Sequence, residues 1–143
     1  MDLGTRGRLI ERITALGLPS PARPLPLVTL EEFFEGNDDY GSIGCNLTPM
    51  LGPGFFLEIL KRIRSLPNVQ DVLVEVVEVE PEDLSAWPFS DRVYVFTDAE
   101  PDEVAKWAAP IKPDAIQEGF SNGKHRCAPA VMTGFKCYSL WWD

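Results

Sequence analysis

The residues best suited to chemistry in this chain are amides and carboxylates that follow a short predicted helix. Asn37, Asp38 and Asp39 offer oxygen atoms of the kind that bind Ca²⁺ or Mg²⁺. Their spacing does not follow the calcium-loop pattern, which also needs a glutamate at its twelfth position. Residues of these types more often form turns and helix caps. We therefore predict a turn with no bound metal.

Two pairs of adjacent carboxylates between residues 31 and 39 could serve general acid and base catalysis. The pairs are Asp38 with Asp39 and Glu31 with Glu32. Such catalysis needs one carboxyl group in a dry pocket, where burial raises its pKa. Side chains adjacent in sequence mostly point apart, so neither pair predicts a catalytic site.

The single histidine, His125, lies two residues before Cys127. Zinc needs three or four ligands, and a cysteine nucleophile needs a base beside it. Cys45 and Cys137 fall on predicted strands, where a buried cysteine behaves as a small hydrophobic residue. The glycine-containing segments 41–44 and 52–54 are too short to match a phosphate-binding loop. We predict no metal, no cofactor and no catalytic residue, and the roles of His125 and Cys127 stay open.

The charge balance restricts the possible partners. The chain of 143 residues has 22 acidic and 13 basic residues, for a net charge of -9. Nucleic-acid binding usually needs a basic stripe, so we expect no nucleic-acid partner and no anionic membrane partner. A basic protein partner fits better, although a solvated acidic surface needs no partner. Three cysteines, and no apolar leader or membrane-spanning run, predict a cytoplasmic protein.

The N-terminal part predicts an appended helix. Leu9, Ile13 and Leu16 share one face of an amphipathic helix over residues 3–17. Four prolines between 19 and 26 then predict an extended connector. We divide the chain into this helix with its connector, 1–26, and one α+β domain, 27–143. The helix either docks on that domain or forms a mobile arm.

Helical signals recur along the rest of the chain. Thr29 and Glu32 form a capping box for a short helix within 27–36. Apolar residues at helical spacing predict a helix that begins near Pro53 and is ended by Pro67 and Asn68, and another that begins at Pro101. The apolar residues are Phe56, Ile59, Leu60 and Ile63 in the first, and Val104, Trp107, Ala108 and Ile111 in the second. Residues 114–118 predict one further helical turn.

Strand signals complete the pattern. Alternation predicts strands over 42–48 and 92–97, a valine-rich run predicts one over 72–79, and an aromatic-rich run predicts one over 135–142. From residue 41 the order is β-α-β-β-α-β, which is typical of the ferredoxin-like fold. We therefore predict an α+β sandwich: an antiparallel sheet of order 4-1-3-2, two helices on one face, and the extra N-terminal helix.

This fold predicts a shallow groove on the sheet face away from the helices. Ser42, Gly44 and Asn46 would form its floor between aromatic walls. The candidate binding residues are Asp38, Asp39, Ser42, Gly44, Asn46, Tyr94, Phe96, Tyr138 and Trp142. The alternatives are that the N-terminal helix covers this face, or that two copies pair there.

Two segments carry a resemblance. Residues 32–46 follow the pattern EFFxGNxDxGSIGCN, and residues 87–91 read WPFSD. Both segments resemble an uncharacterised bacterial protein family. The resemblance covers roughly residues 28–120 and leaves the N-terminal helix outside. It implies an independent bacterial domain, and it brings no established activity and no site residues.

Two classes of function remain open. The first is a non-enzymatic interaction or regulatory protein, such as an inhibitor, an immunity-type protein or a subunit, with a protein partner or a second copy. The small size and acidic surface favour it, as do two tryptophans at the C-terminus, because interfaces favour tryptophan. The alternative is a small-molecule-binding domain or minor enzyme that uses Asn46, Ser42, Tyr94 and an acid from Asp38 or Asp39.

Overall fold

The computed structural model describes residues 1–17, 25–120 and 128–143. The elements within these ranges are α1 (Leu3–Leu16), β1 (Leu27–Thr29), α2 (Leu30–Phe34), α3 (Pro53–Arg64), β2 (Val69–Glu75), β3 (Arg92–Thr97), α4 (Pro101–Ala108), β4 (Ala115–Glu118) and β5 (Lys136–Trp141). Short 3-10 turns cover Tyr40–Ser42 and Ala109–Ile111. The fold class is therefore α+β, as predicted.

The described strands form one antiparallel sheet in the order β1-β2-β3-β5-β4. Strands β3 and β4 run parallel with β5 between them, and α4 connects the two. In the register of β3 with β5, Tyr94 faces Ser139 and Val95 faces Tyr138. Successive side chains point to opposite faces of a strand, so these pairs lie on opposite faces of the sheet.

One face of the sheet, which we call the helix face, carries the main core. Valines of β2 and β3 pack there with apolar side chains of all four described helices. The core residues contributed by the helices include Leu9, Ile13, Phe33, Phe56, Ile59, Leu60, Ile63, Val104 and Ala108. The apolar stripes predicted for α3 and α4 therefore point into this core, apart from Trp107, which is half-buried.

The predicted ferredoxin-like order is wrong in two places. Residues 42–48 form no strand: a 3-10 turn and an irregular loop replace it. The Asp39 side chain caps that turn, and Gly44 has a φ of 66°, which breaks an extended path. Residues 114–118, predicted to be helical, contain the edge strand β4 instead. Without a strand at 42–48, the order 4-1-3-2 cannot form.

Helix α1 docks on the rest of the molecule. Leu9 and Ile13 are buried in the main core, at 3% and 0% exposure. The amino group of Met1 lies 2.6 Å from the Asp38 carboxylate, and the amide N–H of Asp2 donates to the carbonyl of Gly36. Most of the proline connector, residues 18–24, lies outside the described residues. The docked form is the one observed, and the division at residue 26 stays a prediction.

Helix α2 begins with the predicted capping box. The Thr29 hydroxyl accepts from the amide of Glu32, and the Glu32 carboxylate accepts from the amide of Thr29. Helix α2 is also joined to α3 through a bidentate pair. The two terminal nitrogens of Arg64 lie 2.7 and 2.6 Å from the two carboxylate oxygens of Glu31.

The Glu31–Arg64 pair predicts a pH-dependent contribution to stability. Hydrogen bonds from Arg64 lower the pKa of Glu31 from 4.5 to about 2. Because the folded pKa is below the unfolded one, the contribution is present above pH 4.5 and is lost as the pH falls towards 2. Half of the Glu31 side chain is exposed, and solvent screening keeps the contribution below about 1 kcal/mol.

The measurement is the free energy of unfolding of the wild type and of Glu31→Gln from pH 6 down to about pH 2. We expect the wild type to be more stable at pH 6 and the gap to close at acidic pH. Glu35→Gln, an exposed change at the end of the same helix, serves as the control. A gap that stays constant with pH would contradict the assignment.

Candidate functional site

The predicted groove residues near the turn after α2 hold that turn together. The Ser42 hydroxyl donates to the carbonyl of Asp39 and accepts from the Asn37 amide, and Ser42 is only 1% exposed. The Asp39 carboxylate accepts from the backbone amides of Gly41 and Trp87. Asp38 is exposed beside the N-terminal amino group. These residues are turn formers here, which was the alternative to a metal site.

Gly44 and Asn46, the other two residues of the predicted groove floor, also lie elsewhere in the structure. A Cβ atom on Gly44 would lie 2.5 Å from the ring of Phe56, so this glycine allows the loop to pass over α3. Asn46 is exposed and donates to the carboxylate of Asp114. Both residues therefore lie beside the helices or the edge strand, away from the sheet face opposite the helices.

The four predicted aromatic walls lie on opposite faces of the sheet. Tyr94 and Phe96 point to the face opposite the helices, which we call the second face. Tyr138 and Trp142 are buried on the helix face, where their polar atoms donate to the carbonyls of Ala99 and Ile111. The prediction of a groove with these four side chains as its walls is therefore wrong. A binding role for its individual residues stays a prediction.

The second face is covered. Tyr94 and Phe96 are fully buried, and the ring of Phe120 lies 5.2 and 6.1 Å from their rings. Burial on this face raises the pKa of Cys137 to about 12, which keeps its thiol protonated and unreactive. Cys45 is exposed. His125 and Cys127 lie outside the described residues.

A polar cluster on the second face escaped the sequence analysis. Glu75, only 1% exposed, accepts from the Tyr94 hydroxyl at 3.1 Å and lies 3.9 Å from Arg92. Arg92 donates to the Ser139 hydroxyl at 3.2 Å. The sequence signal was Glu75 within the valine-rich run of β2. A buried strand carries a glutamate only when the charge of that residue is compensated. The cluster joins three central strands, so it fixes their arrangement.

An open cavity lies on the other side of the molecule, between α3 and α4. We call it the α3–α4 groove; its volume is about 250 Å³. Ile59 and Ile63 of α3 form its floor and are nearly buried. Leu66, Trp107 and Pro110 form its apolar sides, and Arg62 and Lys106 add two cations.

Local sequence explains how the α3–α4 groove arises. Ile59 and Ile63 are one helical turn apart, so both face α4. Pro110 follows α4 in a 3-10 turn, so the helix stops near Trp107 and leaves this ring half-buried. Arg62 contacts Glu58 one turn earlier at 3.1 Å, with both side chains more than 60% exposed. An exposed pair of this kind exchanges easily for another partner.

The lining of the groove combines apolar side chains with two cations. Apolar walls with two cations can hold an apolar side chain next to an anionic group. The described residues contain no group of three or more histidine, cysteine or acidic side chains arranged to hold a metal ion. Among the same residues, no helix has the length and apolar character needed to cross a membrane.

Comparison with known proteins identifies the family. The model of the uncharacterized protein YfbO family matches residues 4–140. The chain is similar to the uncharacterized protein YfbO of Escherichia coli strain K12, with 38% identity over 140 residues, which cover 94% of this chain and 98% of that protein. No solved structure matches the chain. The family match includes α1, so it extends beyond the predicted region of resemblance, 28–120. The chain belongs to the uncharacterized protein YfbO family.

Proposed function

We propose that this protein is a non-enzymatic interaction module whose α3–α4 groove binds an acidic, amphipathic protein segment. The observation that supports the proposal is an open apolar cavity carrying two cations, Arg62 and Lys106, on a chain with a net charge of -9. The class of function is the one predicted from the sequence. The proposed partner is acidic at the contact, whereas the overall charge had suggested a basic one.

The apolar part of the groove provides the attraction. Trp107 is half-buried, so a partner side chain that covers it removes further ring surface from water. Burial of apolar surface contributes about 25 cal/mol per Å². Tryptophan is also among the residues whose truncation costs most at protein interfaces. A cavity of 250 Å³ suits one or two aliphatic side chains of a peptide segment.

The charged part of the groove provides selectivity. Lys106 forms no ion pair within the described part of the chain, and Arg62 has only its exposed contact with Glu58. Carboxylates of a partner would exchange for that contact and neutralise both cations. A basic segment would meet two like charges at close range, which disfavours it.

A charge-reversal experiment tests the proposal. The probe is a fluorescein-labelled synthetic peptide in which glutamates flank two leucines, and a lysine version of the same peptide is the second probe. We expect the wild type to bind the acidic peptide and the double variant Arg62→Glu, Lys106→Glu to bind it at least about tenfold more weakly, a change of about 1.4 kcal/mol. Fluorescence anisotropy measures both affinities at two salt concentrations.

The matched control is Lys61→Glu, an exposed cation of α3 that does not line the groove. It changes the net charge in the same direction and should leave the affinity within about threefold, because exposed charges are screened by salt. Equal binding of the lysine peptide, or an equal loss in Lys61→Glu and in the double variant, would contradict the proposal.

A further inference from the structure

The chain itself carries a segment with the chemistry that the α3–α4 groove requires. The acidic loop, residues 78–84, contains Glu78, Glu80, Glu82 and Asp83, and it ends at Leu84. Leu84 is 61% exposed, the highest value among the large hydrophobic side chains in the described ranges. An exposed leucine next to four carboxylates complements an apolar cavity with two cations.

The backbone of the acidic loop is fixed from inside. Arg6 of α1, only 4% exposed, donates at 2.8–2.9 Å to the carbonyls of Glu80, Asp83 and Ala86. The Asp83 carboxylate also accepts from the amide and hydroxyl of Ser85. The carbonyls thus point inward while the side chains of 80–85 are exposed. A loop held in one shape loses little conformational entropy when it binds.

We propose that the acidic loop of a second copy of this chain occupies the α3–α4 groove, with Leu84 on the apolar floor and the carboxylates beside Arg62 and Lys106. This inference rests on the proposed function and names its partner. The acidic loop and the α3–α4 groove are separate surfaces within the described part of the chain. The contact therefore joins two different surfaces, and it forms either a closed pair with two contacts or an open chain of copies.

Charge crowding in the acidic loop supports this pairing. The side chain of Glu78 raises the pKa of its neighbour Glu80, and Asp83 adds to the repulsion. Within the chain, hydrogen bonds from Ser85 and the charge of Arg6 beneath the loop lower the pKa of Asp83, and cations from a second copy would relieve the repulsion between Glu78 and Glu80. The association should therefore weaken as salt is added.

A complementation experiment tests the inference by sedimentation velocity over a concentration series. The wild type should self-associate. Leu84→Ser, which lacks the apolar anchor, and the groove variant Arg62→Glu, Lys106→Glu should each associate at least tenfold more weakly. An equimolar mixture of the two variants should associate again, because one supplies an intact loop and the other an intact groove. Met132→Ser, another exposed apolar change, is the control and should behave as the wild type.

The same variants separate this inference from the proposed function. Leu84→Ser retains its groove and should bind the acidic synthetic peptide as tightly as the wild type does. If the wild type binds that peptide but stays monomeric, or if Leu84→Ser associates as the wild type does, the second-copy inference is wrong and the groove proposal stands. If self-association is lost in both variants but does not return in the mixture, the inference is also wrong. If the peptide binds neither the wild type nor Leu84→Ser, the groove proposal itself fails.

Discussion

Replacement of Trp142 by alanine is expected to lower the free energy of unfolding by about 3–5 kcal/mol, the usual cost of removing a large aromatic side chain from a core. Trp142 is 1% exposed, and its ring packs edge-on against Phe56 with 5.2 Å between centroids. Its indole N–H donates to the carbonyl of Ile111 at 2.7 Å. The substitution therefore leaves a cavity and a buried carbonyl without its donor. Urea denaturation followed by circular dichroism measures the change.

Two further variants separate the causes. Trp142→Phe keeps much of the ring and loses the hydrogen bond, so we expect an intermediate loss of about 1–3 kcal/mol. Trp141→Ala removes a half-buried ring on the other side of β5, where the Arg92 guanidinium lies 5.8 Å from the ring centroid, and should cost less than Trp142→Ala. Equal losses at 141 and 142 would contradict the larger contribution assigned to Trp142.

The sequence predicted features that depend on near neighbours. The capping box of Thr29 and Glu32 spans three residues, and the stripe of α3 repeats within two turns, so both were identified correctly. Strand β3 was predicted with its observed limits, because its alternation is continuous and both of its faces are apolar.

The errors arise where distant contacts decide the structure. Residues 42–48 alternate like a strand, yet the Asp39 carboxylate binds the amide of Trp87, 48 residues away, and this contact stabilises the turn before them. Among the described strands, β4 pairs with β5 alone, through residues 20 to 26 positions apart, so its short sequence carries little signal of its own. The local alternation of residues carries no information about these distant contacts.

The candidate site was only partly predictable for the same reason. The cations at the end of α3 were visible in the sequence, but they also suit the helix dipole, which gave no reason to assign them to a site. Trp107 was assigned to the buried stripe of α4. Its half-burial follows from the way α4 ends beside α3, which is a tertiary feature. Leu84 and Arg6 gave no sequence signal, because the link between α1 and the acidic loop joins residues about 80 positions apart.

Replacement of Arg6 by alanine is expected to lower the free energy of unfolding by about 2–4 kcal/mol. Hydrogen bonds from charged donors are worth about 1.5–3 kcal/mol each. Part of this free energy is recovered when water reaches the freed carbonyls. The guanidinium reaches three carbonyls of the 80–86 backbone at 2.8–2.9 Å and a fourth, that of Pro81, at 3.4 Å. Arg8→Ala, an exposed change two residues later, should stay within about 0.5 kcal/mol of the wild type. Chemical denaturation of both variants provides the comparison.

Arg6→Lys tests whether the shape of the guanidinium matters more than its charge. Lysine keeps the positive charge but has a single nitrogen, which cannot reach carbonyls on both sides of the loop as the planar fork does. We expect it to lose more than half of the stability that alanine loses. If the acidic loop owes its fixed shape to Arg6, this variant also self-associates more weakly than the wild type while its α3–α4 groove still binds the synthetic acidic peptide. A lysine variant as stable as the wild type would show that charge alone holds the loop, and the pre-organisation of Leu84 would then need another cause.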